Sequence, residues 1–294
     1  MALARERLLG WRFPEVRQAY TAEDCMRYAL AVGAGAWEGE PAPLAFTHEA
    51  GLKVLPTQVV TLGYPGFWLM APATGLDWRQ VLHVEQAITW HRPLPLAATV
   101  YSRSRVAAVY DQGPGRGALL VTERTLHLAG SGECLASLRW VEYCRGEGGC
   151  GGPPAPPAYR PQAPARPADA SLRWPISPQA ALLYRLCGDR NPLHVDPAVA
   201  RQAGFERPIL HGLCTLGAVA YALVNLGLGG QPEGLRALRA RFIAPVYPGD
   251  TLTVSVWRAE RQVLADVAGR AVLQGEWEGP SPGTAGLPPG LCCP

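Results

Sequence analysis

Ile176-Ser-Pro-Gln-Ala-Ala-Leu-Leu-Tyr184 opens an apolar helical pattern, and Tyr20-Thr-Ala-Glu-Asp-Cys-Met-Arg-Tyr28 opens another at an offset of 156 residues (20→176). A second pair follows. Arg92-Pro93-Leu-Pro-Leu-Ala-Ala-Thr99-Val100 sits against Ala244-Pro245-Val-Tyr-Pro-Gly-Asp-Thr251-Leu252, an offset of 152 (99→251). Each of these Pro-containing turns leads into runs rich in β-branched residues: Thr99 to Val109 and Leu119 to Leu128, then Thr251 to Trp257 and Val263 to Leu273. Alternation over such lengths predicts antiparallel strands. Each half therefore reads as one long apolar helix plus several strands, an α+β unit whose curved antiparallel sheet covers a central helix.

Composition agrees with two such copies. The chain has 294 residues, 48% of them apolar and 17% charged, ample for a large core and too apolar for disorder. From Arg145 the sequence runs RGEGGCGGPPAPPAYRPQAPARPAD, dense in Gly and Pro, and cannot form a core. The expected domains are a first unit at 1–145, a linker at 146–170, a second unit at 171–278 and a frayed tail at 279–294. The net charge is only +3 and no Lys/Arg-rich run exists, so no nucleic-acid surface is expected.

Two features invite misreading. Ile209 to Leu228 carries no Asp, Glu, Lys or Arg over a span-like length, but it contains His211 and Asn225, and a buried core helix is the expectation rather than a membrane span. The eight cysteines form no C-x-x-C pair, and the opening MALARERLLGWRFPE has no secretory character. Free thiols and a cytoplasmic location are expected, with a peroxisome the alternative for a eukaryotic source although the closing GLCCP is no peroxisomal tripeptide.

Functional groups crowd into Gly188-Asp189-Arg190-Asn191-Pro192-Leu193-His194-Val-Asp196-Pro197. Gly188 permits irregular backbone, Pro192 excludes helical geometry at Asn191, and Asp196-Pro197 reads as an N-cap for a short helix to about Ala203, stopped by Gly204. Asp189 and His194 thus share one tight loop, where a carboxylate and an imidazole suit acid–base chemistry on a shared water. The plainer reading of Asp-x-Asn-Pro is a turn whose polar side chains bond local backbone. The next element, Arg207-Pro208-Ile-Leu-His211-Gly212-Leu-Cys-Thr215, leads into the apolar helix. Its first N–H groups are unsatisfied, and Gly212 has no side chain to keep a carbonyl oxygen away.

Gly188-Asp-Arg-Asn-Pro-Leu-His194, followed by Gly212 within Pro-Ile-Leu-His-Gly-Leu-Cys-Thr, resembles the MaoC-like, type 2 enoyl-CoA hydratase family. The likeness extends through Tyr20 to Ala34, Val81-Leu-His-Val-Glu-Gln86, His91-Arg-Pro-Leu-Pro95 and Phe242 to Leu252. The resemblance implies a double hot-dog fold in which only the second repeat keeps the catalytic loop. The first has Val32-Gly33-Ala34 at the corresponding place and makes room for the acyl chain. It implies reversible hydration of a trans-2-enoyl-CoA to a (3R)-3-hydroxyacyl-CoA in fatty acid or side-chain oxidation. Asp189 and His194 would hold the water, Asn191 would orient them, and the Gly212 N–H would polarise the thioester. Arg92 and Phe242 would contact the CoA moiety and the acyl chain, and Arg190, Pro192 and Leu193 would border the substrate. Tyr64, Phe67 and Trp68 suit either a chain-binding wall or ordinary core.

It further implies a homodimer with acyl-CoA as partner and no cofactor or metal, the thioester itself acidifying the α-carbon. The alternatives are a hot-dog thioesterase and a non-catalytic acyl-CoA-binding subunit. A metal site of Asp189, His194, Asp196 and His211 is disfavoured, because Asp196 is better used as a cap.

Overall fold

A computed structural model of the chain describes residues 4–36, 40, 42 and 44–280. The first half runs α1 (Arg5–Leu9), β1 (Val16–Tyr20), α2 (Ala22–Ala31), α3 (Leu44–Thr47), β2 (Val81–Trp90), β3 (Ala98–Asp111), β4 (Gly117–Leu128) and β5 (Cys134–Arg145). The second runs β6 (Ala170–Pro175), α4 (Ala180–Tyr184), α5 (Pro197–Gln202), α6 (Gly212–Ala222), β7 (Ala237–Phe242), β8 (Thr251–Trp257), β9 (Gln262–Val267) and β10 (Arg270–Glu278).

All ten strands join one antiparallel sheet in the order β1-β3-β4-β5-β2-β7-β10-β9-β8-β6. The order reads the same from either end once β1 is equated with β6, β3 with β8, β4 with β9, β5 with β10 and β2 with β7. The seam between the copies is the β2–β7 pair, in register from Glu85↔Arg241 to Thr89↔Ala237. It carries an internal charge pair: Arg239 reaches Glu85 at 2.8 Å. The linker crosses this region without helix or long strand, and Tyr159 lies under the Arg239 guanidinium at 3.8 Å.

Helices α2, α3, α4 and α6 pack with the sheet in one core. At the start of α2, Asp24 accepts from the Thr21 N–H at 2.9 Å and from its hydroxyl at 3.0 Å, satisfying donors that a helix start leaves free. Helix α6 is buried throughout from Cys214 to Ala222 and continues as one π-turn, Leu223–Gly227. No helix among the described residues is long and apolar enough to cross a membrane. Helix α6 crosses α2 closely at Gly217, where an added Cβ would lie 2.4 Å from Val32 Cγ1. Trp174 seals the opposite side, fully buried, its indole donating to the Val32 carbonyl at 3.1 Å.

Several elements depart from expectation. Ser177 does not cap a helix starting at Pro178. Its hydroxyl accepts from the Gln179 N–H, and α4 begins at Ala180. The run Val263 to Leu273 is two strands, because Ala268 (φ 50°) and Gly269 (φ 80°) make a tight hairpin turn that the apolar pattern hides. Among the described residues only the second half holds a long central helix. In the first, the stretch between α2 and β2 breaks into α3 and 3₁₀ turns such as Pro56–Val60, buried against α6. Most of the expected tail, 281–294, lies outside the described residues.

Candidate active site

Gly188 ends the turn after α4 with φ 129°, a conformation that side-chain-bearing residues rarely adopt. The chain then folds back on itself. Asp189 Oδ1 accepts from the Asn191 N–H at 3.2 Å, and Asn191 Oδ1 accepts from the Leu193 N–H at 3.0 Å. These are the local turn bonds of the plainer sequence reading, and they coexist with convergence: Asp189, Asn191, Leu193 and His194 all line one cavity of about 270 Å³. Asn191 therefore shapes the loop through backbone. Asp196 caps α5 through the Ala198 N–H at 2.7 Å, which fixes the loop's far end, and Gly204 follows at φ 89°.

His194 is buried, and its Nδ1 lies 2.9 Å from the Ile209 carbonyl. A carbonyl only accepts, so Nδ1 carries the proton and Nε2 keeps its lone pair. Burial lowers its pKa below the ordinary imidazole range, against the upward pull of the Asp189 carboxylate. His211 lies against it: the two rings stack with centroids 3.8 Å apart. His211 Nε2 bonds the Asp189 carbonyl at 3.2 Å, and Tyr184 flanks the ring at 4.9 Å. Burial holds its pKa well below the ordinary value, with His194 adding to the effect.

Asp189, His194 and His211 offer ligand atoms within 4.8 Å of one another, a closer grouping than their spacing in sequence suggests. A metal sits in the ring plane of each imidazole it binds at about 2.0–2.1 Å. Rings stacked face to face direct those in-plane lone pairs side by side rather than at one point. Asp196, the fourth residue of that alternative, is spent on its cap.

Gly212 is the first residue of α6 and lines the same cavity. An added Cβ would lie 3.2 Å from the Phe242 ring, so the ring packs closely on Gly212 and a side chain there would have to push it aside by a few tenths of an ångström. Phe242 also meets His83 edge-on at 5.0 Å. From there the cavity crosses the β2–β7 seam into the first repeat, where Tyr64, Phe67, Gln86, Arg124 and Glu142 line it. Tyr64 and Phe67 thus separate from Trp68, which packs with Trp11 and Phe13 at 5.0 Å each.

Three expected contacts lie elsewhere. Arg92 is exposed, pairs with Glu133 at 2.5 Å and borders a different hollow beside Leu52 and Glu233. Arg190 points to solvent, while Pro192 only begins the turn that carries His194. Sequence reasoning overlooked the stacking role of His211 and the inward Arg124 and Glu142. The last two had a signal. Leu120, Thr122, Arg124 and Leu126 share one strand face, as do Leu138, Trp140 and Glu142, so each charge stands on an otherwise inward stripe. Among the described residues the first repeat shows no counterpart of the loop: after α2, Gly33 (φ 104°) faces the Trp174 indole.

The comparisons with known proteins match both halves. Residues 160–274 match the family described as MaoC like domain, and residues 18–146 match the MFE-2 hydratase 2 N-terminal domain. The enoyl-CoA hydratase ChsH3 of Mycobacterium tuberculosis is 38% identical, over 88% of this chain and 91% of its own. The solved MaoC-like dehydratase of Phytophthora capsici superposes with TM-score 0.81 at 29% identity, covering 95% of this chain and 99% of that one. A Mycobacterium tuberculosis protein described as a double hotdog fold gives TM-score 0.57 at 17% identity, over 92% and 96% of the two chains, and shows the fold alone. The fold is a double hot-dog. The chain belongs to the MaoC-like, type 2 enoyl-CoA hydratase family.

Proposed function

We propose that the chain catalyses the reversible hydration of trans-2-enoyl-CoA to (3R)-3-hydroxyacyl-CoA in fatty acid or side-chain oxidation. The observation that carries this reading is the meeting of Asp189, His194 and Gly212 in the wall of one cavity, whose remaining lining is mainly apolar and aromatic with Gln86, Arg124 and Glu142 set among it. His194 Nε2, neutral because its ring is buried, takes a proton from a water held beside Asp189 as the water oxygen bonds to the β-carbon. The electron pair of the double bond moves toward the thioester, and the enolate oxygen rests against the α6 N-terminus at Gly212. The proton returns through the His194–Asp189 pair to the α-carbon, so the net change is H and OH across one double bond. The thioester supplies the acidity, and the scheme uses no metal or cofactor.

The pair distinguishes this from a thioesterase, which needs water aimed at the thioester carbon, and from a binding subunit, which needs no base. Hydration of crotonyl-CoA and trans-2-decenoyl-CoA, followed as loss of conjugated-thioester absorbance, tests it. Release of free CoA instead would favour thioester hydrolysis. We also propose a homodimer, which light scattering on the purified chain tests. A cytoplasmic site of action has support in six described cysteines that are all free thiols.

A further inference from the structure

The cavity carries charge in its first-repeat wall. Arg124, 2% exposed, enters it from β4 between the rings of Tyr64 and Trp140, each 5.8 Å from the guanidinium carbon. Its Nη2 donates to the Val59 and Val60 carbonyls at 3.1 and 2.8 Å. Its Nε and Nη1 are buried with no protein partner, and so is Glu142 Oε2, which lines the same cavity from β5. No carboxylate pairs with Arg124 among the described residues. Burial pushes the Glu142 carboxyl up to about 8, leaving it a neutral acid at pH 7, while Arg124, lowered by burial to about 10, stays cationic. The first-repeat lining thus holds one cation that no carboxylate pairs and one carboxyl that both gives and takes hydrogen bonds.

A fully hydrocarbon chain filling this space would leave the buried Arg124 charge without a partner, at a heavy cost. A chain carrying oxygen there completes the guanidinium's hydrogen bonds, and a carboxylate matches its two-pronged edge. On the hydratase reading above, we propose that the preferred enoyl-CoA bears an oxygen function on its acyl chain, a carboxylate or a hydroxyl, which the buried Arg124 guanidinium binds. Sites built to bond a substrate oxygen reject the analogue lacking it far more strongly than apolar pockets reject an extra methylene.

The experiment compares trans-2-enoyl-CoAs of six, eight and ten carbons ending in methyl, hydroxymethyl or carboxylate. At the length that fits, kcat/KM for an oxygen-ended chain should exceed that for its methyl-ended match by ~10-fold or more. Arg124→Met should bring that ratio close to one; Arg124→Lys, which keeps the charge but loses the fork, should lower it several-fold and covers the case in which the methionine variant does not fold. A gain for carboxylate alone assigns charge pairing, and equal gains for both ends assign hydrogen bonding; either upholds the proposal. Methyl-ended chains hydrated as well as the others at every length, or a ratio unchanged in both Arg124 variants, overturn it and leave the hydratase reading standing. No hydration of any of these thioesters defeats that reading as well.

Discussion

The imidazoles of His194 and His211 stack at 3.8 Å with their planes 29° apart, each ring spending one N–H on a loop carbonyl. Two rings this close repel when both are protonated, and burial already disfavours the charge on each. The sign for activity follows. The proton-accepting form of His194 is the neutral one, present above a folded pKa that lies under the ordinary 6.5. The acid limb of the kcat/KM–pH profile should therefore lie below pH 6.5. A limb above 6.5 would mean that His194 is not the buried neutral base described.

His211 acts through its neighbours rather than on substrate. His211→Phe keeps a flat ring against His194 but loses the bond to the Asp189 carbonyl. It should lower kcat by ~10-fold while KM changes little, and should shift the acid limb of the pH profile. Equal falls in stability and activity with an unmoved pH profile would reduce His211 to core packing.

Gly212→Ala tests the helix start. Its Cβ would press on the Phe242 ring at 3.2 Å, so the ring or the helix end must give by a few tenths of an ångström. Loss of an oxyanion donor costs on the order of 10²-fold in kcat. The double variant Gly212→Ala with Phe242→Leu separates the causes. Full recovery would assign the defect to ring pressure, and persistent loss of kcat would assign it to the obstructed N–H, which is the result expected.

Gly217→Ala should destabilise the fold. A helical glycine changed to alanine normally gains about 0.5–1 kcal/mol, but here the new methyl would meet stiff Val32 Cγ1 at 2.4 Å and Tyr28 Oη at 3.0 Å. Overpacking of this kind costs about 1–3 kcal/mol, enough to reverse the sign. A lowered Tm, restored in part by Val32→Ala, is expected; a raised Tm would show that α2 and α6 are less closely crossed.

How far the sequence foretold this molecule depends on the range of the forces involved. Asp196, Pro197 and Gly204 delimit α5 by local chemistry alone, and their roles were legible. The internal repeat gave the sheet, because alternation at matched offsets survives divergence. The Ala268-Gly269 turn was hidden since two small residues interrupt no apolar pattern. The broken helix of the first repeat was hidden because its replacement, Pro56–Val60, is held by tertiary burial rather than propensity. Arg92 matched a family segment, but Glu133 from the next hairpin holds it at the surface. The stacking of His211 on His194 depends on two elements meeting in space, which no spacing encodes.

Glu142 carries a stability prediction. Its folded pKa, about 8, lies above its ordinary 4.5, so the native state holds the extra proton between those values. The neutral form's contribution is full below pH 4.5 and is lost as pH rises through about 8. Glu142→Gln, which cannot ionise, should therefore gain on the wild type as pH rises from 4.5 to 8 and level off above. The gain should be on the order of a few kcal/mol, less whatever solvent in the cavity screens. Parallel Tm–pH curves for the two proteins would contradict a buried carboxyl.

The most direct test of the central claim is the hydration of trans-2-enoyl-CoA by the wild type and by Asp189→Asn and His194→Ala, with product chirality determined. The account predicts a (3R) product from the wild type and a loss of ~10²–10⁴-fold in each variant with folding intact. A (3S) product, or near-wild-type turnover in either folded variant, would contradict it.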